Sequence, residues 1–144
     1  MSVIAFDGKT VSADKQSTSS GLRTTVNKLI QLVSGEVVGF TGTIDKGLSL
    51  VDWYVSGGDK SKFPEFQKTD DWVRLVVFNR HERFYYESTP ERITILDEKI
   101  AFGCGRDFAL GAMEMGADSR RAVEVACKHS VDCGMGITTF SVIE

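Results

Sequence analysis

The sequence is poor in most of the residues that mark specialised protein classes. Of its 144 residues, 3 are cysteine, 2 proline and 2 histidine. An odd set of cysteines (Cys104, Cys127 and Cys133), without a Cys-x-x-Cys motif or a paired histidine spacing, indicates neither a disulfide scaffold nor a zinc site. With no secretory leader ahead of them, these thiols point to a reducing, cytoplasmic setting. No apolar run approaches the roughly 18 residues that span a bilayer, so no membrane-inserted helix is expected. Basic residues (17) are outnumbered by acidic ones (20), giving a net charge of −3. That leaves no footprint for a nucleic-acid backbone or an anionic membrane. Internal repeats and low-complexity segments are absent. Gly103-Cys104-Gly105 precedes a helix as a phosphate loop does, but the downstream Gly-Lys-Ser/Thr is missing, and no cofactor or metal is predicted.

What is present suits one domain, residues 1–144, with 42% hydrophobic and 26% charged residues. Two strands, Ser2–Phe6 and Thr10–Asp14, are joined by an Asp7-Gly8 turn, a pair that supplies the backbone angles of a tight hairpin. Lys15–Thr25 is polar and reads as a loop or an irregular continuation of the second strand. Val26–Val33 and Glu36–Thr41 favour strand about a Ser34-Gly35 turn. The period then changes. Ile44, Leu48, Val51 and Val55 recur at helical spacing, with Thr43 as cap and Gly57-Gly58 as stop.

Asp59–Asp71 reads as a surface loop or at most one helical turn. Strands resume at Trp72–Phe78 and Phe84–Glu87, then as shorter pieces at Arg92–Leu96 and Lys99–Phe102. A helix over Arg106–Met115 presents Phe108, Ala112 and Met115. A second, capped by Asp118 or Ser119, presents Ala122, Val123, Ala126 and Cys127. A last strand covers Ile137–Ile143. This order predicts an α+β fold, a four-layer αββα sandwich of two antiparallel sheets between helical layers.

The chain start has a chemical possibility of its own. If Met1 is removed, Ser2 carries both a hydroxyl and a free α-amine of pKa about 8, so that near neutral pH the amine can take the hydroxyl proton. Hairpin pairing returns Asp14 to the chain start. Lys28 lies in an apolar strand, where a buried ammonium demands a partner, and Asp14 is the favoured one.

Several fragments together resemble one family. Ser2-Val-Ile-Ala, Ala13-Asp14, Asn27-Lys28-Leu29-Ile30 and Val38-Gly39-Phe40-Thr41-Gly42 look like the front half of proteasome β-type subunits. Phe102-Gly103-Cys104-Gly105, the helices after it and Asp132-Cys133-Gly134 look like the back half. The resemblance is to N-terminal nucleophile hydrolases, closest in shape to the bacterial HslV peptidase subunit and to short proteasome-like proteins of bacteria and their phages. It implies peptide-bond hydrolysis with Ser2 as nucleophile, Asp14 and Lys28 as tuning residues and the Gly39 amide as oxyanion donor. Cys104 and Cys133 stand where the family has supporting serines.

The resemblance further implies a homo-oligomer, a peptide or protein substrate and an ATPase unfoldase partner. Ser2 replaces the family's usual threonine, Ser130 stands where an Asp is common, and the segment before Trp72 is too short for the family's long second helix, which predicts a shortened helical layer.

Each residue also has a plainer reading. Ser2 can be an ordinary strand residue, the Lys28–Asp14 pair scaffold, Gly39 a strand bulge, and Cys104 and Cys133 small core fillers. His81 and His129 have no triad partner and read as structural. The alternative function is a catalytically inactive assembly or binding protein on the same sandwich.

Overall fold

Two runs that alternate apolar side chains between their faces make the centre of the molecule. The structure, a computed structural model, describes residues 2–66 and 73–142. The first sheet contains β1 (Ile4–Phe6), β2 (Thr10–Asp14), β10 (Ile100–Phe102) and β11 (Ile137–Ser141), in the order β10-β1-β2-β11 and antiparallel throughout. Asp7 shapes the first turn by accepting the N–H groups of Lys9 and Thr10 at 2.8 and 2.7 Å. The second sheet runs β5 (Leu29–Gln31), β6 (Val37–Gly42), β7 (Val73–Phe78), β8 (Arg83–Tyr86) and β9 (Ile93–Thr94), also antiparallel.

Successive strand residues point to opposite faces, so each sheet buries two sets of side chains. Ile4, Phe6 and Val11 of the first sheet meet Leu29, Val37, Val76 and Phe78 of the second, with Phe6 and Phe78 stacked at 4.7 Å. Val3 and Ala5, of opposite parity, pack beneath α2 (Arg106–Glu114) and α3 (Ser119–His129). Val38, Leu75, Val77 and Phe84 pack beneath α1 (Ile44–Val55). Each such large side chain, fully buried, contributes about 1.5–3 kcal/mol. The result is the expected four layers: α2 and α3, two sheets, and α1 alone on the far side.

Three local expectations are corrected. Lys15–Thr25, expected as a loop or an irregular continuation of β2, is a hairpin of its own that starts one residue after β2: β3 (Gln16–Ser19) with β4 (Leu22–Thr25), turning at Ser20-Gly21 where φ is +49° and +81°. Its polar residues pair by backbone alone and leave no apolar alternation to read.

On α1 the buried residues are Gly47, Leu50 and Trp53, whereas Leu48 and Val55 are more than half exposed. Trp53 decides the rotation: it stands edge-on to Tyr86 and Phe63 and donates its indole N–H to Asp59 O at 2.7 Å. On α2, Ala109 and Met113 are buried while Met115 is 88% exposed. Phe108 instead lies against His129. The expected faces are each about one position out of phase, although Val51 and Ala112 do pack against the core; in α1 the indole of Trp53, which flanks the aliphatic stripe, takes the inner position, and in α2 the small Ala109 does.

The described part of the Asp59–Asp71 segment, up to Phe66, contains a 3-10 turn at Lys60–Lys62; residues 67–72 lie outside the described residues, as does Ile143. Asp118 caps α3 by accepting the Arg121 N–H at 2.8 Å. Among the described residues no helix is long and apolar enough to cross a membrane.

Candidate functional site

A cleft of about 780 Å³ opens beside the start of the first strand, lined by residues of β3, β4, β6 and α1 together with Ser2, Lys28 and Cys104. Ser2 continues the parity of Ile4 and Phe6, which turns its side chain to this inter-sheet end. The residue is 1% exposed, and its hydroxyl is a buried oxygen with no hydrogen-bond partner among the described residues. Buried hydroxyls are ordinarily paired, so an orphan on a cleft wall marks a place where a further group is accommodated.

Lys28, immediately before β5, lines the same cleft. Its ammonium donates to Asp14 Oδ1 at 2.7 Å, with both side chains almost fully buried. Burial pushes the Lys28 pKa down, opposed by the charge and hydrogen bond of Asp14; the net shift is downward. Asp14 in turn is a hub. Its Oδ1 accepts the Val3 N–H at 3.1 Å, and Oδ2 accepts those of Gln16 at 3.3 Å and Gly134 at 3.0 Å. The carboxylate thus ties the chain start, the β2–β3 junction and the loop after α3 to one ammonium.

The loop Gly103–Gly105 closes over Ser2 from the other side. Gly105 N–H donates to Ser2 O at 3.1 Å, and Gly103, at φ +96°, lies so close that a Cβ there would fall on the Ser2 carbonyl. Only glycine permits both the dihedral and the approach. Cys104, between them, is exposed and lines the cleft.

The other supporting residues fall elsewhere. Cys133 is buried with Val3 and Ala126 beneath α3, and burial, with the nearby Asp14 charge, pushes its thiol up to about 12. It is not among the residues lining the Ser2 cleft, and its Sγ lies against Gly105 of the loop that holds Ser2. Gly39 is also absent from the cleft wall. It sits in regular register between Leu29 and Val76, so it is not a bulge. A Cβ there would collide with Leu29 Cδ2 and come within 2.8 Å of Lys28 O, so only glycine fits at this point of β6.

The glycine on the cleft is Gly42, three residues on, at φ +103° where β6 turns into α1. Sequence reasoning passed over it; the available signal was a glycine at a strand-to-helix junction. It also passed over the β3–β4 hairpin, of which Ser17, Ser19 and Thr24 are among the residues that line the cleft. His81 sits on the exposed β7–β8 turn, its N–H donating to Asn79 Oδ1, and His129 stacks on Phe108. Neither lines the cleft.

Solved structures decide the architecture. The protein BPH of Thiobacillus denitrificans superposes with a TM-score of 0.73 at 18% identity, covering 98% of this chain and 97% of that one. The fold is proteasome- and HslV-like. The same BPH in complex with epoxomicin gives a TM-score of 0.71 at 18% identity, again over 98% and 97% of the two chains. Eukaryotic HslV from Trypanosoma brucei gives 0.69 at 20% identity, covering 97% of each. No protein-family model matches the chain, and no curated protein matches it. The likeness is thus carried by the proteasome-like sandwich over almost the whole chain and hardly at all by sequence.

Proposed function

We propose that this protein is a peptide-bond hydrolase in which Ser2, made the first residue by removal of Met1, is the nucleophile. The observation that carries the reading is the buried, unpartnered Ser2 hydroxyl on the same cleft as an ammonium pinned by a carboxylate. The α-amine of Ser2 takes the hydroxyl proton as Oγ attacks the substrate carbonyl carbon. The nearby Lys28 charge favours less positive forms of its neighbours, which keeps more of the amine in its basic form.

The backbone N–H at Gly42, rather than that of Gly39, is the donor suited to the developing oxyanion, because it belongs to the cleft and carries no side chain in the way. The amine then returns the proton to the leaving nitrogen as the C–N bond breaks, leaving an ester on Ser2. Water, deprotonated by the same amine, hydrolyses the ester and restores the hydroxyl.

By the same reasoning the chain self-associates, takes peptide or protein substrates and works with an ATPase unfoldase; the fold shared with HslV supports this extension. One observation favours the alternative, an inert assembly protein. The two positions where the resemblance expects supporting hydroxyls carry Cys104 and Cys133, and the second is withdrawn into the core.

The test is a chain processed to begin at Ser2, its start verified by intact mass, assayed on fluorogenic peptides beside Ser2→Ala and beside a chain retaining Met1. Turnover by the first and a loss of at least about a hundredfold in the other two is expected. Equal turnover in all three assigns the activity to another site or a contaminant, and none in the first favours the inert reading.

A further inference from the structure

Two buried side-chain hydroxyls have no hydrogen-bond partner among the described residues, and Ser2 carries one of them. The other belongs to Thr41 of β6, a residue 1% exposed that immediately precedes Gly42. Burying a hydroxyl without a partner costs free energy that a valine of nearly the same shape would avoid. The hydroxyl at position 41 is thus a burden on the resting fold.

Alternation along β6 decides where it points. Val37 packs between the sheets and Phe40 lies against Gly47 of α1, so Gly39 and Thr41 turn to the first sheet. A Cβ on Gly39 would stand 3.2 Å from Ile4 Cδ1, which sets Gly39 opposite Ile4. Two residues back from Ile4 the chain reaches Ser2, and two residues on from Gly39 it reaches Thr41. Both steps run toward the cleft that Ser2 and Gly42 line. The two unpartnered hydroxyls therefore occupy the same end of the inter-sheet layer, one from each side.

With Ser2 as nucleophile, negative charge grows on Oγ as its proton passes to the α-amine and before the bond to the carbonyl carbon is complete. The Lys28 ammonium is held by Asp14 and makes no hydrogen bond to this oxygen. Thr41 has a hydroxyl proton with no other use. Directed at a lone pair of Ser2 Oγ, it leaves the Ser2 proton free to face the amine, and a hydrogen bond to the more negative form favours that form. Serine has a single heavy atom on Cβ to hold among three staggered positions, and the same contact selects one of them.

We infer that Thr41 is a further catalytic residue, whose hydroxyl donates a hydrogen bond to Ser2 Oγ as that oxygen attacks. The inference rests on Ser2 as nucleophile, and its effect on the reactivity of the oxygen is measurable without any peptide being cut.

The experiment compares the Ser2-initiated chain with Thr41→Val and Thr41→Ser. Fluorogenic peptides report kcat and KM. A fluorophosphonate reports the reactivity of the oxygen alone: the Oγ–P bond forms, fluoride departs, the serine proton is released, and the adduct is timed by intact mass and located by peptide mapping. Circular dichroism gives the thermal midpoint. Thr41→Val is expected to lower kcat at least about tenfold with KM held within about twofold, and to slow phosphonylation of Ser2 by a similar factor. It should also raise the midpoint by about 2–4 °C, because the unpaired hydroxyl is gone. Thr41→Ser is expected to recover most of the loss in both rates.

Undiminished kcat in Thr41→Val, or a loss that Thr41→Ser does not recover, overturns the inference and leaves Ser2 as nucleophile. A lowered midpoint in Thr41→Val also overturns it, since the hydroxyl is then bonded within the resting fold. Phosphonylation of Ser2 that Thr41→Val slows and Thr41→Ser restores, with no peptide hydrolysed, upholds the role of Thr41 and removes peptides as the substrate. Neither phosphonylation nor hydrolysis removes both.

Discussion

Replacing Asp14 with alanine is expected to cost far more stability than replacing Lys28 with methionine, although the two side chains form a single ion pair of 2.7 Å. The difference lies in what each leaves behind. Asp14 serves Lys28 Nζ and the N–H groups of Val3, Gln16 and Gly134. Without it a 4%-exposed ammonium and three backbone donors lose their acceptor together. Breaking a buried pair by removing one partner costs about 3–5 kcal/mol, and a stranded N–H adds about 1 kcal/mol.

A loss of about 6–8 kcal/mol for Asp14→Ala follows, against a total stability of about 5–15 kcal/mol for an ordinary domain. Lys28→Met keeps the apolar stem and leaves the carboxylate its three N–H donors, so about 1–2 kcal/mol is expected. Urea unfolding at pH 7 followed by circular dichroism yields both values from the midpoints, provided the slopes agree. Equal losses, or a greater one for Lys28→Met, would refute the view of Asp14 as the hub.

Three further outcomes follow from the geometry. Burial pushes the Asp7 carboxyl up, but the N–H groups of Thr10, Lys9 and Ser119 outweigh it and hold its pKa below the ordinary 3.8. Its stabilisation is therefore complete above that value and lost as pH falls through the lowered one, so acid unfolding of Asp7→Asn should be the less steep of the two below about pH 4.

Among the cysteines, a disulfide reagent at pH 8 should label Cys104 first, with Cys127 and Cys133 slow because burial pushes their thiols up to about 11 and about 12. The adduct on Cys104 should block peptide binding in the cleft, and rapid labelling of Cys133 would contradict its place in the core. Finally, Gly103→Ala should destabilise by about 2–4 kcal/mol through strain and collision with the Ser2 carbonyl. Gly111→Ala, on an open face of α2, should be neutral or stabilising by up to about 1 kcal/mol in thermal melts.

The parts of this molecule that were legible in the sequence are those where a local rule and the tertiary fold ask for the same thing. Asp7-Gly8 had to turn, and β2 ends at Asp14 as its pattern predicts. A lysine in an apolar strand had to find a carboxylate, and it found the expected one.

Legibility failed where the deciding quantity was register or shape. Gly39 and Gly42 lie three residues apart in one strand, and nothing local says that the first is packed under Leu29 while the second opens onto solvent. Leu48 looks like a core residue until Trp53 fixes the rotation of α1. The β3–β4 hairpin has no apolar alternation at all, because its job at the cleft is done by hydroxyls and backbone.

Among the described residues the holds on Ser2 grip the chain on its carboxyl side: its own carbonyl accepts from Gly105, and the next residue, Val3, is fastened twice to Asp14, its N–H donating to the carboxylate and its C=O accepting from the backbone N–H. Trimming upstream residues would expose a base without moving the oxygen it serves, so a precursor and its processed form would share one ready-made geometry and differ by a single chemical group.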